Sequence, residues 1–355
     1  MVYCINADGA GKCAIRCFTG GSWIENPGEK GRPMFLAPDG EEIEITNAAA
    51  DFLAGAMPIE RLHGAVPADM DGALRRQLGD MGWFALALPE DGGGSGLSAV
   101  EHALFFREVG RLCGPVDLLA QVLAAFVAGD DLRTALISGE AGVALATRDG
   151  GRLRLLGAPD AAYVLEVTPE GARLYAADDL RAEARPSLDP VTSMRLADPA
   201  ATPLAEQPGS AVWQMGQLGA AAMLIGLAEA ALDLIVDYAK VRETFGRKIG
   251  AYQAVRHPCA DMALRAETAR CQLWFAAAAI KEARSDAAIH LDAAKHLANQ
   301  AAIANADSNI QLHGGIGVTD EHDAHLLLKH AWLLAKLFGS KRALLARLLD
   351  ARVED

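Results

Sequence analysis

The sequence predicts a mainly helical fold carrying one small β-module, and three observations support it. Apolar residues make up 51% of the 355 positions but aromatic ones only 6%, so alanine and leucine carry the hydrophobicity, which favours helices over an all-β chain. Over 45–55 and 68–83, and again from 211 to 349, apolar residues recur every three or four positions, the helical period. Between Gly139 and Pro208 that period gives way to short apolar pieces broken by Gly, Pro and Asp, the pattern of strands with tight connections. The expected division is an irregular leader over 1–33, an N-terminal helical domain over 34–133, a reduced β-domain over 134–210 and a C-terminal helical bundle over 211–355.

Taken in order, the spacing predicts helices over 45–55 and 68–83. An apolar stub and a glycine loop follow, from Leu86 to Ser98. Ser98 is placed to cap a helix beginning at Ala99, with Glu101 completing a capping box, and a second apolar helix spans 115–128. The glycine loop lacks the Lys-Ser/Thr pair of a phosphate cradle. Strands are expected at Val143–Ala146, Leu153–Leu156, Tyr163–Val167 and Ala172–Tyr175, with Arg181–Pro190 as an exposed connection. Helices then return at 215–243, 252–284, 287–312, 321–338 and 340–351. Helices of some 25 to 30 residues need neighbours along their whole length, which a four-helix bundle supplies.

A net charge of −13 disfavours a nucleic-acid surface or a polybasic membrane contact. No apolar run is expected to reach the roughly 18 to 20 residues of a spanning helix, because Glu229 and Asp233 interrupt the stretch 220–234. The leader has no apolar core with a cleavage site, so the expectation is a cytoplasmic protein; an over-extended start would explain its irregularity. Of six cysteines, Cys4, Cys13 and Cys17 read as free thiols in the leader, and Cys113, Cys259 and Cys271 as small buried residues. Their spacing fits no zinc framework, and no metal is expected at His322, His325 and His330, which read as solvated helix surface. Arg107 and Glu108 read as surface charges, His257 as a side chain near a phosphate or in solvent, and Trp274, Phe275 and Trp332 as core or subunit interface.

Two stretches carry chemistry. Gln311-Leu312-His313-Gly314-Gly315-Ile316-Gly317 places three glycines within four positions after a helix, which is either a plain helix cap or a cradle whose backbone N–H groups meet an anion. Arg242-Glu243-Thr244-Phe245-Gly246 ends another helix on an arginine, either a solvated charge or the cationic half of such a site.

With Gly82-Trp83-Phe84-Ala85-Leu86-Ala87-Leu88-Pro89-Glu90-Asp91-Gly92-Gly93, these motifs stand in an order and spacing that resembles the acyl-CoA dehydrogenase family over about 45 to 345. The resemblance implies a flavoenzyme in which a glutamate removes the α-proton of an acyl-CoA thioester and FAD takes the β-hydride, with electron-transfer flavoprotein or a similar acceptor downstream. It also implies that Arg242, Phe245, Gln311, Gly314 and Gly315 reach the adenosine-pyrophosphate end of FAD held by a neighbouring subunit.

Other family features are missing. Where most members place the glutamate, gap-free counting gives Phe338, and where a smaller group places it, Gly216. The Thr-Glu-Pro…Gly-Ser-Asp and Trp-Ile-Thr/Ser segments that hold the flavin ring are also absent between Leu145 and Tyr163. The chain therefore resembles the short, non-catalytic subunit of heterotetrameric, steroid side-chain type acyl-CoA dehydrogenases. That implies FAD shared across an interface with a full-length catalytic homologue. A self-sufficient homo-oligomer with a displaced base at Glu229 or Glu243, and a flavin-free helical interaction protein, are the alternatives.

Overall fold

The computed structural model describes residues 3–7, 13–19, 22–23, 38–63, 69–199 and 202–351. The segment expected to be irregular carries three short antiparallel strands, β1 (Tyr3–Ala7), β2 (Cys13–Thr19) and β3 (Ser22–Trp23). The side chains of Cys4, Cys13 and Cys17 lie outside the described residues.

The N-terminal helical layer comprises α1 (Gly40–Ala56), α2 (Gly72–Asp80), α3 (Ala99–Arg111), α4 (Val116–Val127) and α5 (Asp130–Ile137). Asp39 boxes the start of α1 with Glu42, five residues before the sequence pattern places it. Asp71 caps α2 and Gly82, at φ 78°, follows its end, so this helix is shorter than expected. The Ser98–Glu101 box forms as read, with Val100 N donating to Ser98 Oγ over 3.1 Å and Ser98 N to Glu101 Oε2 over 2.8 Å. The eight-residue α5 is not among the helices expected from the sequence.

The β-module contains β4 (Val143–Asp149), β5 (Arg152–Leu156), β6 (Tyr163–Thr168), β7 (Gly171–Ala176), β8 (Ala182–Arg185), β9 (Met194–Ala197) and β10 (Ala205–Pro208), in the order β10-β7-β6-β4-β5-β9-β8. Only β4 and β6 pair in parallel. The stretch Arg181–Pro190, expected as a connection, includes the edge strand β8, whose four residues are all exposed and so lack an apolar alternation. One face of the sheet, with Val143, Leu145, Leu165 and Leu174, joins the helical core; the other, with Ala144, Ala146, Leu155 and Val164, makes a small core of its own.

The bundle consists of α6 (Ala211–Val241), α7 (Gln253–Lys281), α8 (Ala287–His313), α9 (Ala324–Leu334) and α10 (Lys341–Asp350), with a hairpin of β11 (Glu243–Thr244) and β12 (Arg247–Lys248) between α6 and α7. By length and composition α6 is apolar enough to cross a membrane, correcting the sequence expectation; 72% of its apolar window is buried inside the molecule, as for a core helix. Where α6 crosses α3 the backbones nearly touch, for a Cβ on Gly226 would sit 2.1 Å from Arg107 O. Asn305 of α8 donates to Ala228 O of α6 and Met262 O of α7, both at 3.0 Å, and so ties three helices together.

Several polar residues lie deeper than the sequence suggests. Glu108 is buried, and Arg107 bridges it at 2.8 Å to Glu229 at 2.7 Å, with Arg111 and Arg270 at 3.2 and 3.6 Å from Glu229. Charges that look solvated on one amphipathic helix are thus neutralised across three. His330 is likewise buried, its Nδ1 2.8 Å from Asp189. Of the three cysteines expected in the core, only Cys113 is buried; Cys259 is half-buried and Cys271 exposed.

Candidate functional site

The ends of α6 and α8 lie side by side. Tyr238, one turn before Arg242, stacks on His313 at 4.5 Å, and His313 meets His322 at 4.4 Å. The two motifs singled out in the sequence therefore occupy the same end of the bundle.

At the α6 end, Arg242 is exposed and its N–H donates to Tyr238 O over 2.9 Å. The β11–β12 hairpin turns through Phe245 and Gly246 at φ 50° and 79°, two left-handed residues in succession as a tight hairpin requires. A left-handed phenylalanine is strained. It is nonetheless held there: Tyr252 Oη donates to Thr244 O over 2.9 Å, Arg247 lies 4.0 Å above the Tyr252 ring, and Lys248 pairs with Glu243 at 2.7 Å. The result presents Phe245 97% exposed at the tip. Beside it a hollow of about 420 Å3 is lined by Val236, Ala239, Val255 and Cys259 together with Lys240, Lys248 and Arg256, of which Lys240 pairs with Asp237 at 2.8 Å and Lys248 with Glu243.

At the α8 end, Gln311, Gly314 and Gly315 are exposed. Gly314 adopts φ 70° and ψ −144°, and its N–H donates back to Ile310 O and Gln311 O. That amide caps the helix, one of the two readings the sequence leaves open, and does not face outward. The surface above Gly314 and Gly315 is open, since a Cβ at either would meet nothing within 4 Å. Gly317 serves packing, because its Cβ would lie 2.8 Å from Ile310 O.

A second region lies where the β-module meets the bundle. It is a cleft of about 190 Å3 whose walls include Leu145, Arg148, Val167, Trp213, Lys336 and Phe338. Phe338 follows the end of α9 at φ 52°, a reversal incompatible with the longer helix expected over 321–338, and its ring packs edge-on to Trp213 at 5.4 Å. A Cβ on Gly216 would fall 2.3 Å from Phe338 Cε1. The two positions at which sequence counting sought a carboxylate, far apart in the chain, are one place in space, and an aromatic ring fills it.

No aspartate or glutamate lines the cleft among the described residues. Glu166, the partner of Arg148 on the cleft wall, is buried and engaged by Arg148 at 2.6 Å and Tyr175 Oη at 3.2 Å. Glu229 sits in its arginine cluster and Glu243 on the exposed hairpin, held below the usual carboxylate range by Lys248. Trp213 is fixed from beneath: its Nε1 donates to Gln217 Oε1 over 3.1 Å, Gln217 Nε2 to Asp292 Oδ1 over 2.7 Å, and Arg347 grips Asp292 over 2.5 and 2.7 Å. Sequence reasoning missed Trp213. Its helical spacing to Gln217 was visible; the link to Asp292, 75 residues on, was not.

Comparison with known proteins agrees with this architecture. Residues 39–132 match the acyl-CoA dehydrogenase N-terminal domain and 211–351 the acyl-CoA dehydrogenase C-terminal domain. Acyl-CoA dehydrogenase IpdE2 of Mycobacterium tuberculosis is 32% identical over 328 residues, covering 88% of this chain and 98% of the relative. The chain belongs to the acyl-CoA dehydrogenase family. Its members are FAD-binding oxidoreductases that act on acyl-CoA thioesters.

Acyl-CoA dehydrogenase FadE34 of the same organism is 36% identical over 76% of this chain, which spans only 40% of that relative's length. Among solved structures, the Tcur3481-Tcur3483 steroid acyl-CoA dehydrogenase G363A variant superposes with a TM-score of 0.74 at 26% identity, covering 87% of this chain and 97% of that one. The ChsE4-ChsE5 complex of M. tuberculosis supplies a chain with a TM-score of 0.74 at 22% identity, covering 90% and 100%, a likeness of fold.

Proposed function

We propose that this chain is the non-catalytic subunit of an FAD-dependent acyl-CoA dehydrogenase heteromer, located in the cytoplasm and acting with a full-length homologue on a bulky acyl-CoA. The observation that carries the reading is the Phe338 ring seated on Gly216 beside Trp213. A positioned general base contributes roughly 10² to 10⁴ in rate, and both places from which a family glutamate acts hold none. The steroid enzyme named among the structural neighbours and the chain from the ChsE4-ChsE5 complex are consistent with a two-component assembly and a large substrate.

In this reading the chain's contribution is at the bundle end. Its residues suit a pyrophosphate: an exposed guanidinium at Arg242 and Gln311 as a neutral donor, with the surface at Gly314 and Gly315 open to close approach. Phe245 offers an apolar face to the adenosine portion. Bound FAD supplies the hydride acceptor, and the partner supplies the base. Residues 242–246 and 311–317 hold the far end of the cofactor and exclude water from it. Electron-transfer flavoprotein, or an acceptor like it, then reoxidises the complex.

Arg242→Ala tests this without touching the partner. Co-purified with the full-length homologue, the variant should retain the assembly but lose most of its flavin; unchanged flavin content would favour a helical interaction protein that has abandoned the cofactor. Two observations disfavour a self-sufficient enzyme with a displaced base, for Glu229 is enclosed by arginines and Glu243 points into solvent.

A further inference from the structure

The glycine loop Gly314–Val318 runs directly into a turn at 319–323. Thr319 N and Oγ1 donate to Ile316 O over 3.1 and 3.0 Å, and His322 N donates to Thr319 O over 3.2 Å, so loop and turn are hydrogen-bonded to one another. That turn is gripped from the other end of the chain. His63, at the end of the short 3-10 helix Ile59–His63, places Nδ1 2.9 Å from Asp320 O and Nε2 2.6 Å from Asp323 Oδ1. Both partners are acceptors, one a carbonyl oxygen and the other a carboxylate. A neutral imidazole has one N–H and satisfies one of them; only the doubly protonated ring donates to both.

We infer that His63 is a positioning residue for the glycine loop, an imidazolium clasp that fastens the N-terminal helical domain to the segment carrying Gly314 and Gly315. The inference rests on the proposed role of that loop in holding the cofactor's pyrophosphate. No family motif includes His63, and 257 residues separate it from Asp320.

The surroundings support a charged ring. The hydrogen bond that His63 donates to Asp323 is the largest influence and raises the His63 pKa; partial burial opposes it, while Asp320 O and the charges of Asp323 and Glu60 add to it. Arg61, on the same turn, directs its guanidinium to the carbonyls of Met57, Pro58, Leu112 and Cys113. From the facing segment come Asp320, Glu321, Asp323 and His325, the last pushed down by burial and so poorly disposed to add a second cation. The sign follows. A base whose pKa is raised on folding holds its contact fully below the ordinary histidine value of about 6.5 and loses it as pH rises through the raised value.

The test is a titration of the full chain labelled with 13C-histidine, in which His63→Gln identifies the His63 resonance. His63 should titrate above 6.5, and Asp323→Asn should bring it back toward that value. After correction for intrinsic base catalysis, amides 314–319 should exchange about two- to tenfold faster once His63 is neutral, the scale of one lost hydrogen bond. His63→Gln should show the faster rate at every pH. Titration at or below 6.5, or loop exchange indifferent to His63→Gln, would overturn the clasp. In the co-purified complex, flavin affinity should weaken across the same pH interval in the wild type and stay flat in His63→Gln; a wild-type affinity independent of pH would overturn the coupling. A complex with no flavin at all would instead overturn the subunit reading, while the resonance still decides the charge on His63.

Discussion

At the scale of single residues, Phe338 and Gly216 act as a pair. The ring lies where a Gly216 side chain would have to go, so a carboxylate at 216 cannot be restored while Phe338 remains. Gly216→Glu should destabilise the chain by overpacking, about 1 to 3 kcal/mol in urea unfolding. Phe338→Ala should cost about 3 kcal/mol, the lower end of the range for a buried phenylalanine because one side of the ring faces the cleft. Combined, the two should cost less than their sum, since the alanine makes room for the glutamate; strict additivity would mean that the positions do not meet. Phe245 shows the opposite balance. Phe245→Gly relieves the left-handed strain and should stabilise the isolated chain by about 1 kcal/mol, while lowering flavin retention in the complex. A parallel fall of both would show that the ring supports the fold and not the cofactor.

Among elements, the seam between the helical layer and the β-module turns on Asp117. It sits in the first turn of α4, fully buried, and its Oδ2 accepts from Met70 N and from Ala158 N, each over 3.2 Å. Burial pushes its pKa up to about 7, with Asp69 adding to the shift. The folded chain thus holds a proton that the unfolded chain releases near pH 4, so the seam weakens as pH rises from about 4 to about 7. Asp117→Asn keeps an acceptor in place and should flatten that part of the stability profile; an unchanged profile would put the titration elsewhere.

This seam also marks how far the sequence could be read. The long helices were legible because α6, α7 and α8 run for 31, 29 and 27 residues of alanine- and leucine-rich sequence, and the Ser98–Glu101 box announced α3. The strand β8 was not, because all its residues face solvent and no alternation marks it. Arg107, Glu108 and His330 were misplaced for a related reason. Their charges are neutralised by partners on other elements, and one helix's pattern cannot reveal Glu229 or Asp189. At the bundle end the motif residues lay where the sequence put them in the chain, but the inward turn of the Gly314 amide and the reach of His63 needed the fold.

For the whole molecule, the proposed role leaves this chain with one of the two functions that a self-sufficient family member combines. The cleft between β-module and bundle is small and capped by aromatic rings, while the bundle end stays open, cationic and exposed. Under the proposal, such a chain serves a partner's active site. The most direct measurement is the visible spectrum and flavin stoichiometry of this chain purified alone and purified with its co-expressed full-length homologue. The account predicts a colourless isolated chain without turnover, and a stable complex that contains FAD and oxidises acyl-CoA; flavin with turnover in the isolated chain would contradict it.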